Sequence, residues 1–380
     1  MASPVIRRVA YLKLGFCFNV RMHPKLTQLN LSRRTIVALA VFAVLPVLVY
    51  LSDPYPTRSL NLAVGQKGTS YEVLGKNIQT YFQRYGLEVN LVETTGMQEG
   101  VVKLDDDQSV INAAFMTAGQ PAPVAWSGLV SLGSVQYSPL WMIYRGATPQ
   151  DFRDFIHRKI AIGADGTNTQ ALFRALAGAY GFQLADQSNL LRVKHAEAVT
   201  LFNAGLIDAI FIVDGIDSDN IRNLLQNPDN QIYSFQRTDA LTWQFPYLSK
   251  LIIPKGALDL KITRPNKDTD LLATSTTLLV EENTHPYIQW LLLKAIRDIH
   301  NEGDHHFSPE NFFPARLDSN VALSEIADRY YDSGFPELVK YMPFWLAVYL
   351  DRFWVVLLSF LAIVLPVREL WAIVSDLRRK

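Results

Sequence analysis

Two glycine-containing loops, each placed between an apolar strand pattern and a helical pattern, restrict this chain to an α/β fold. The first loop spans residues 65–71 (GQKGTSY) and the second spans residues 163–169 (GADGTNT). Each loop places backbone N–H groups and small hydroxyls at a helix N-terminus, where unsatisfied donors and about half a unit of positive charge favour an anion. The repeated arrangement predicts two lobes that each hold one side of a small ligand.

The region between the two loops and beyond alternates strand and helix patterns. Residues 59–144 predict a first β-α-β-α-β unit, and residues 145–237 predict a second, smaller one. Residues 238–341 are predicted to return to the first lobe and to add C-terminal helices. This order implies parallel strands with right-handed crossovers. The fold class is therefore α/β, with two lobes joined by crossover strands and a cleft at the carboxyl ends of the strands, where ligands of such folds bind.

A first apolar segment, residues 35–51, is predicted to lie in a membrane. Its 17 residues carry no charge, which places it at the short end of the spanning range. Residues 1–34 are basic, and Arg33 and Arg34 directly precede the segment, so the N-terminus is predicted to be cytoplasmic and the following domain to be exported. A cleaved signal peptide is the alternative. The large residues at positions 49–51 offer no small-residue cleavage site, which favours an uncleaved anchor.

A second apolar segment, residues 344–367, is predicted to span the membrane in the opposite direction. Its charged pair, Asp351 and Arg352, is placed near the outer interface because charge is costly in mid-bilayer. The basic tail, residues 368–380, then returns to the cytoplasm. A core helix of the exported domain is the alternative for this segment. The two segments together predict a protein of the bacterial inner membrane whose main domain faces the periplasm or the cell exterior.

Composition and motifs argue against nucleic-acid binding, metal binding and catalysis. The chain has 36 basic and 36 acidic residues, so no strong field attracts nucleic acid. Cys17 is the only cysteine, which excludes an intrachain disulfide. The histidines at positions 300, 305 and 306 lack the spacing of a metal site. No Walker motif, nucleophile elbow or convincing carboxylate pair is present, and no cofactor is expected.

Several motifs together resemble the TAXI-type solute receptors of tripartite ATP-independent periplasmic (TRAP) transporters. The likeness covers residues 60–330 in the family's order, and no single motif is specific alone. The motifs are residues 61–75 (NLAVGQKGTSYEVLG), 92–96 (VETTG), 113–115 (AAF), 162–169 (IGADGTNT) and 203–211 (NAGLIDAIF). The resemblance implies a type II periplasmic-binding-protein fold that captures a small organic anion or amino acid, usually a dicarboxylate or a glutamate-like molecule.

The same resemblance implies a partner and an anchor. Receptors of this family hand their ligand to a membrane permease driven by an ion gradient, and a subset of them carries membrane segments at both ends. The chain departs from the family pattern at residues 97–100 (MQEG), where Gly or Ser followed by Asn is usual. This departure removes one expected polar group and puts an acid close to the predicted site.

The candidate ligand-binding residues lie in the two loops and at the predicted strand ends. Hydroxyls and helix N–H groups there suit a carboxylate, although ordinary helix capping uses the same residue types. Asp214 either binds an ammonium group or is a turn acid that faces water. Replacing both Thr167 and Thr169 by Ala is predicted to weaken binding. The candidates are Thr69, Ser70, Tyr71, Thr95, Gly96, Thr117, Gly119, Gln120, Gly166, Thr167, Asn168, Thr169 and Asp214.

These observations predict a membrane-anchored, extracytoplasmic solute-binding protein whose lobes close around an anionic ligand and which performs no chemistry of its own. Closure would shift a pre-existing equilibrium between open and closed lobes. Its expected partners are the small ligand, TRAP-type permease subunits and the lipid bilayer. A tethered sensory or assembly protein that uses the same fold as an interaction surface is the alternative. An enzyme of the related aromatic-acid or precursor-processing type is a second alternative.

Overall fold

The computed structural model describes most of the region that the sequence assigns to the two lobes. The chain divides into two units after Tyr55, and every described residue belongs to the second unit. The predicted membrane segment at residues 35–51, the predicted segment at 344–367 from residue 352 onward, and Gln120 lie outside the described residues. Within the described part, no helix combines the length and the apolar character needed to cross a bilayer. The described residues are 59–119, 128–182, 188–302, 312–318, 320–348 and 350–351.

Lobe 1 is built on three parallel strands and two helices, as the sequence predicted. Strand β1 lies between β2 and β3 and pairs with both in parallel. This pairing follows from the β-α-β-α-β order, because each helix carries the chain back to the start of the sheet. The elements are β1 (Ser59–Gly65), α1 (Ser70–Gln83), β2 (Glu88–Glu93), α2 (Met97–Leu104) and β3 (Ala113–Thr117).

The core of lobe 1 has two faces, which the two-residue period of the strands separates. Leu62 and Phe115 point to the face covered by α1 and by two later helices, α7 (Pro286–Glu302) and α8 (Glu325–Ser333). Ala63, which adjoins Leu62, points to the other face, where it packs with α2. The strands are therefore apolar on both sides, as parallel strands between helices must be.

Two long strands, β4 (Leu129–Tyr144) and β10 (Thr269–Glu281), run through both lobes. They pair with each other in antiparallel fashion, and β10 also pairs with β3 of lobe 1. The sequence analysis placed the boundary between the lobes between residues 144 and 145. The structure instead joins the lobes within these strands, because β4 begins at Leu129 and β10 completes the connection.

Lobe 2 repeats the parallel arrangement on a smaller scale. Strand β5 lies between β6 and β7 and pairs with both in parallel, and β7 pairs with the end of β4. The elements of this lobe are a 3-10 helix (Phe152–Phe155), β5 (Ile160–Ala161), α3 (Asn168–Ala179), β6 (Leu190–Leu191), α4 (His195–Asn203), β7 (Ala209–Val213), α5 (Asp219–Gln226), β8 (Gln231–Ile232), α6 (Thr238–Gln244) and β9 (Leu248–Ile253).

The chain returns to lobe 1 later than the sequence suggested. Leu241 of α6 and Ile253 of β9 lie in the same hydrophobic cluster as Phe173 and Phe211 of lobe 2. Strand β9 pairs with the first half of β10, which belongs to the same cluster. The predicted return at residue 238 is therefore displaced to β10 itself, since the apolar side chains before it fill the lobe 2 core.

The last described residues are helical and are fixed to lobe 1. The helical residues are 344–348 and 350–351. The Phe344 ring lies 6.0 Å from the Tyr85 ring and 5.7 Å from the Tyr287 ring. Asp351 pairs with Arg329 of α8 at 3.0 Å. The start of the second predicted membrane segment thus packs on the folded lobe.

Candidate functional site

The carboxyl ends of the parallel strands in the two lobes face each other. In lobe 1, β1 ends at Gly65 and β3 ends at Thr117, and in lobe 2 β7 ends at Val213. Helix α1 begins directly after the first of these strands, and α3 begins after β5. Apart from Gln120, the candidate residues chosen from the sequence therefore lie at the strand ends and helix starts that border the predicted cleft between the lobes.

The loops that precede α1, α2 and α3 have the same local hydrogen bond, which the sequence analysis did not anticipate. In each loop the third residue of the helix accepts a hydrogen bond from the backbone N–H of the residue before the N-cap. This bond resembles half of a capping box, but it occupies the N–H group of the loop residue before the N-cap and leaves the N–H groups of the helix start themselves unaffected. The bonds join Gly68 to Glu72 at 2.7 Å, Thr95 to Glu99 at 2.6 Å and Gly166 to Gln170 at 3.2 Å.

Glu99, the acid that departs from the family pattern, is used within its own loop. Its carboxylate accepts hydrogen bonds from the backbone N–H and the hydroxyl of Thr95, and it pairs with Lys103 at 2.7 Å. The hydrogen bond from Lys103, followed by those from Thr95, lowers the pKa of Glu99 to about 2. Glu99 is therefore an ionised capping residue, and Thr95 is held by it at the exposed edge of the site.

A direct contact between the lobes lies at the centre of the site. Asp214 Oδ1, which follows β7 of lobe 2, accepts hydrogen bonds from the Ser70 backbone N–H at 3.0 Å and from the Ser70 hydroxyl at 2.7 Å. The Gly215 N–H also donates to this oxygen, at 2.8 Å. Ser70 is the first residue of α1, so the carboxylate lies at a helix N-terminus, where an anion is stabilised.

Other contacts bring the lobes together around this pair. The Ser218 hydroxyl and the Asn220 side-chain amide of lobe 2 donate to the Gly68 carbonyl of lobe 1, at 2.8 and 3.1 Å. A Cβ atom placed on Gly215 would lie 2.7 Å from the Cβ of Ser70. The lobes are therefore in van der Waals contact at this point, and the absence of a side chain on Gly215 permits the approach.

Asp214 is a buried acid and does not face water, in contrast to one of the two alternatives from the sequence. Its exposed fraction is 0%, and its second oxygen, Oδ2, has no hydrogen-bond partner among the described residues. Burial raises the pKa of Asp214 to about 6, although the Ser218 hydroxyl and the hydrogen bonds from Ser70 and Gly215 oppose this shift. A carboxylate with an unused buried oxygen is costly in a folded protein unless a partner occupies it.

A chain of buried hydroxyls continues from this contact into the crossover strands. Gln136 of β4 donates to the Ser70 hydroxyl at 3.0 Å. Tyr71 bonds Ser138 at 2.9 Å, and Ser138 bonds Thr276 of β10 at 3.0 Å. Burial is also the main cause that raises the pKa of Tyr71 to about 12, so this phenol stays protonated. Gln136 and Ser138 were missed in the sequence, where polar residues within an otherwise apolar strand were the available signal.

Thr117 has an unused hydroxyl in the same region. It is the last residue of β3, its exposed fraction is 1%, and it is paired across the sheet with Thr276. Its Oγ1 has no hydrogen-bond partner among the described residues. Thr117 and Asp214 thus each present a buried polar atom with unused hydrogen-bonding capacity at the end of a strand.

In the second loop, two of the predicted hydroxyls are bonded within lobe 2. The Thr167 hydroxyl donates to the Ala164 carbonyl at 2.7 Å and accepts from the Gln170 N–H at 3.4 Å, as a helix cap does. The Thr169 hydroxyl lies 3.0 Å from Nε2 of His195. Burial lowers the pKa of His195 to about 4, so this ring is neutral at pH 7. The predicted effect of replacing both threonines therefore includes the loss of these internal bonds.

Asn168 is the residue of the second loop that retains unused polar atoms. Both its amide oxygen and its amide nitrogen are buried without a partner among the described residues. It borders a cavity of about 280 Å³ to which both lobes contribute, since Gln98 belongs to α2 of lobe 1. Arg174, six residues further along α3, also lines this cavity. Gln98 and Arg174 were not identified in the sequence because neither lies in a loop motif.

The remaining candidates determine the backbone conformation and the packing of the loops. Thr69 is buried, and its hydroxyl donates to the Gln66 carbonyl at 2.7 Å. Gly119 has a φ of +82° and lies against the Tyr247 ring, where a Cβ would overlap with the ring. A Cβ on Gly96 would lie 3.7 Å from the Thr167 methyl group, so these loops of the two lobes are adjacent. Gly166 has a φ of +76°, which its turn requires.

Two other features lie apart from the cleft. A larger cavity, of about 640 Å³, is lined by residues of lobe 2, by the end of β4 and by the segment that leads into β10, with Tyr233 and Arg264 among its residues. Across the described ranges, no group of three or more His, Cys, Asp or Glu side chains forms a candidate metal site. His305 and His306 lie outside those ranges.

Comparison with known proteins gives one family and several distant structural likenesses. No curated protein sequence was found to match the chain. Among solved structures, the BenM effector-binding domain with benzoate is 14% identical, with a TM-score of 0.44 over 70% of this chain and 100% of that domain. The aliphatic sulphonate-binding protein SsuA from Escherichia coli is 17% identical, with a TM-score of 0.38 over 64% of this chain and 72% of SsuA.

A second SsuA, the alkanesulfonate-binding protein from Xanthomonas axonopodis pv. citri bound to MOPS, shows the same degree of likeness. It is 16% identical, with a TM-score of 0.41 over 64% of this chain and 73% of that protein. At these scores none of the three structures carries an argument about ligand or function.

The family assignment comes from the sequence profile that matches the chain. The profile of the NMT1-like family matches residues 129–331, which is more than half of the 380 residues. The matched region contains both crossover strands and all of lobe 2. The periplasmic-binding-protein-like α/β fold predicted from the sequence agrees with the observed strand order. The chain therefore belongs to the NMT1-like family.

Proposed function

We propose that this protein is a solute receptor that binds a small molecule between its two lobes and performs no chemistry on it. One observation carries the proposal. Three of the six described residues that have a buried side-chain polar atom without a partner lie where the lobes meet, namely Thr117, Asn168 and Asp214; the other three are His195, Tyr233 and Gln289. Native proteins pair nearly all buried polar groups, so unused groups that gather at one place indicate a missing partner. A ligand that binds there would supply it.

The lobes have the geometry that such a receptor needs. Helices α1 and α3 begin at the interface, and the crossover strands β4 and β10 are the connections about which the lobes would open and close. The cavity beside Asn168 has a volume of about 280 Å³, which suits a small solute. Binding would stabilise the closed arrangement through contacts made to both lobes at once.

The finer assignment follows the resemblance in the sequence. We infer that the chain is a TAXI-type receptor that delivers a small organic anion or amino acid, dicarboxylate or glutamate-like, to a TRAP-type permease. It would be held in the bacterial inner membrane by residues 35–51 and 344–367, with the lobes in the periplasm or outside the cell. The pairing of Asp351 with Arg329 supports this arrangement, because it keeps the charge of Asp351 beside the folded lobe and outside the bilayer.

A thermal-shift screen of the purified full-length chain against small carboxylates and amino acids tests solute binding. A ligand at a hundred times its dissociation constant adds about 2.7 kcal/mol to the free energy of unfolding, which raises the melting temperature by a few degrees. The shift should shrink in Ser70→Ala and remain in Thr80→Ala, whose hydroxyl lies on the exposed side of the same helix. A folded protein that shows no shift with any compound would contradict the proposal.

The transport assignment needs a separate measurement. Cells that lack the chain should lose ion-gradient-driven uptake of the solute found in the screen, and expression of the intact chain should restore it. Uptake that is unaffected by the loss would remove the permease from the proposal and leave the binding function in place.

A tethered sensory or assembly protein is the second candidate, because one observation favours it. The Ser70–Asp214 contact holds the lobes together through groups of the protein itself. A closed form that needs no solute would serve as a constant interaction surface. A flat ligand screen together with a stable protein partner in membrane extracts would favour this candidate.

A further inference from the structure

The Ser70–Asp214 contact joins two half-sites of opposite character. To the bonds with Asp214, lobe 1 contributes the donors, namely the backbone N–H of Ser70 and its hydroxyl, at the start of the 14-residue helix α1. Lobe 2 contributes the carboxylate of Asp214, which is an acceptor when ionised. Each half-site therefore satisfies the other across the cleft, as a bound ligand would satisfy both.

The donor half-site is arranged to receive a carboxylate. The Ser70 hydroxyl accepts from Gln136 at 3.0 Å and from the Gly215 N–H at 3.1 Å, which leaves its own proton to donate. It donates to Asp214 together with the backbone N–H, and both bonds end on the same oxygen. A carboxylate oxygen is thus already seated at this helix N-terminus, and it belongs to the protein.

The acceptor half-site is arranged to receive a cation. The Oδ2 atom of Asp214 is buried and unpartnered among the described residues, and the hydrogen bonds to Oδ1 all come from neutral groups. Burial without a cationic partner raises the pKa of this carboxyl, and an ammonium group beside it would reverse that effect. A second carboxylate placed here would instead bury two like charges together, which is strongly unfavourable.

We propose that the cleft binds a zwitterionic amino acid, whose carboxylate takes the Ser70 donors and whose ammonium group takes the Asp214 carboxylate. When the lobes separate, the two half-sites lose each other and both become available. A molecule that carries a carboxylate and an ammonium group on one carbon replaces the lost contact on both sides. A dicarboxylate fills the first half-site only, and a simple amine fills the second only. This inference rests on the proposed receptor function and narrows its ligand class.

Isothermal titration of the purified full-length chain with matched ligand pairs tests the proposal. Each L-amino acid is compared with the acid that lacks only the amino group, such as L-glutamate with glutarate and L-alanine with propionate. We expect at least one amino acid to bind and its partner to bind ten-fold more weakly or worse. The comparison uses the unchanged protein, so it does not depend on whether a variant folds.

Variants then show which half-site binds the ammonium group of the ligand and which binds its carboxylate. Asp214→Asn should weaken binding of the amino acid by ten-fold or more and should leave binding of the partner acid unchanged or make it tighter. Ser70→Ala should weaken both ligands of a pair. Asp217→Asn is the matched control, since Asp217 lies three residues away with an exposed side chain paired to Arg222, and it should change neither affinity.

The outcomes distinguish the zwitterion inference from the receptor function on which it rests. Partner acids that bind as tightly as the amino acids, with no selective effect of Asp214→Asn, would overturn the zwitterion inference and leave the receptor function standing. If neither the amino acids nor the partner acids bind to a folded chain, the receptor function for these solutes is contradicted, and so is the inference that rests on it.

Discussion

At the scale of single residues, the site depends on a pair that the sequence identifies separately but cannot connect. The sequence selected both Ser70, from its helix-start loop, and Asp214, from its position after an apolar strand. These residues are 144 positions apart, and only the folded chain brings the carboxylate onto the helix N-terminus. The burial of Asp214 is equally invisible in the sequence, because an acid next to glycine after a strand usually marks an exposed turn.

The raised pKa of Asp214 predicts how the stability of the protein depends on pH. The pKa rises from 3.8 to about 6 on folding, so the native state keeps the proton over a range where the unfolded state has lost it. The contribution of Asp214 to the free energy of unfolding is therefore fully present below pH 3.8 and is lost as the pH rises to 6. A pKa change of this size corresponds to ~3 kcal/mol in the free energy of unfolding. Urea unfolding at a series of pH values should show that this fall is missing in Asp214→Asn.

The variant is needed because His195 acts in the opposite direction. Its pKa falls from 6.5 to about 4 on folding, so its contribution is lost as the pH drops through this range. The two contributions offset each other in the unchanged protein between pH 4 and 6. Asp214→Asn should therefore reveal a rise in stability with pH that the unchanged protein hides. Identical pH profiles for the variant and the unchanged protein would show that Asp214 does not titrate as described.

At the scale of elements, the sequence predicted most of the helices and strands of the two lobes because their apolar periods are clear, but it did not predict α5 and β8. It missed most of β4 and all of β10, since these strands carry hydroxyls where the pattern calls for apolar residues. Residues 274–277 read Thr-Ser-Thr-Thr, and all four are buried. Thr276 belongs to the hydroxyl chain of the site through its bond to Ser138, so a residue that obscured the strand is also part of the site.

A second limit at this scale concerns the helix starts. The sequence predicted that the loops before α1 and α3 would present free N–H groups. The structure adds that Glu72, Glu99 and Gln170 each take one N–H group of their own loop. In a sequence, two polar residues four positions apart look like a pair of side chains on the exposed surface of a helix. They can be recognised as a cap only when the helix boundary is known, and boundaries are the least certain part of a pattern-based prediction.

Two helix glycines should respond in opposite ways to the same substitution. Gly75 lies on the buried face of α1, where a Cβ would be 2.6 Å from Cγ1 of Val64 on β1. Gly75→Ala should therefore destabilise lobe 1 by about 1–3 kcal/mol through overpacking. Gly178 lies on the exposed face of α3 with no atom within 4 Å of a Cβ, so Gly178→Ala should stabilise by about 0.5–1 kcal/mol.

Chemical denaturation of the two variants beside the unchanged protein measures both effects. Gly178→Ala serves as the matched control, because it makes the same chemical change in a helix interior without the close strand. If Gly75→Ala were also stabilising, the close approach of α1 to β1 would not exist in solution.

At the scale of the whole molecule, the contact between the lobes belongs to the closed form in an equilibrium between open and closed lobes. The hydrogen bonds of Asp214 and of Ser218 cross the cleft, and opening breaks them together. A ligand shifts this equilibrium only by the difference between its affinities for the two forms. Because the protein's own groups already stabilise the closed form, the ligand has to replace these contacts as well as add its own.

This dependence on close contact gives a prediction for Gly215, where the lobes approach most tightly. A Cβ on this residue would lie 2.7 Å from Cβ of Ser70 and 2.8 Å from its hydroxyl, so Gly215→Ala should force the lobes apart. Separation breaks the bond from the Ser70 N–H to Asp214, and hydrogen exchange measured by mass spectrometry should then be faster in the peptide that covers the start of α1. Adding Ser70→Gly removes the opposing Cβ and should restore protection, since glycine keeps the N–H. Fast exchange in the double variant as well would mean that the serine hydroxyl, and not the close approach of the backbones, holds the lobes together.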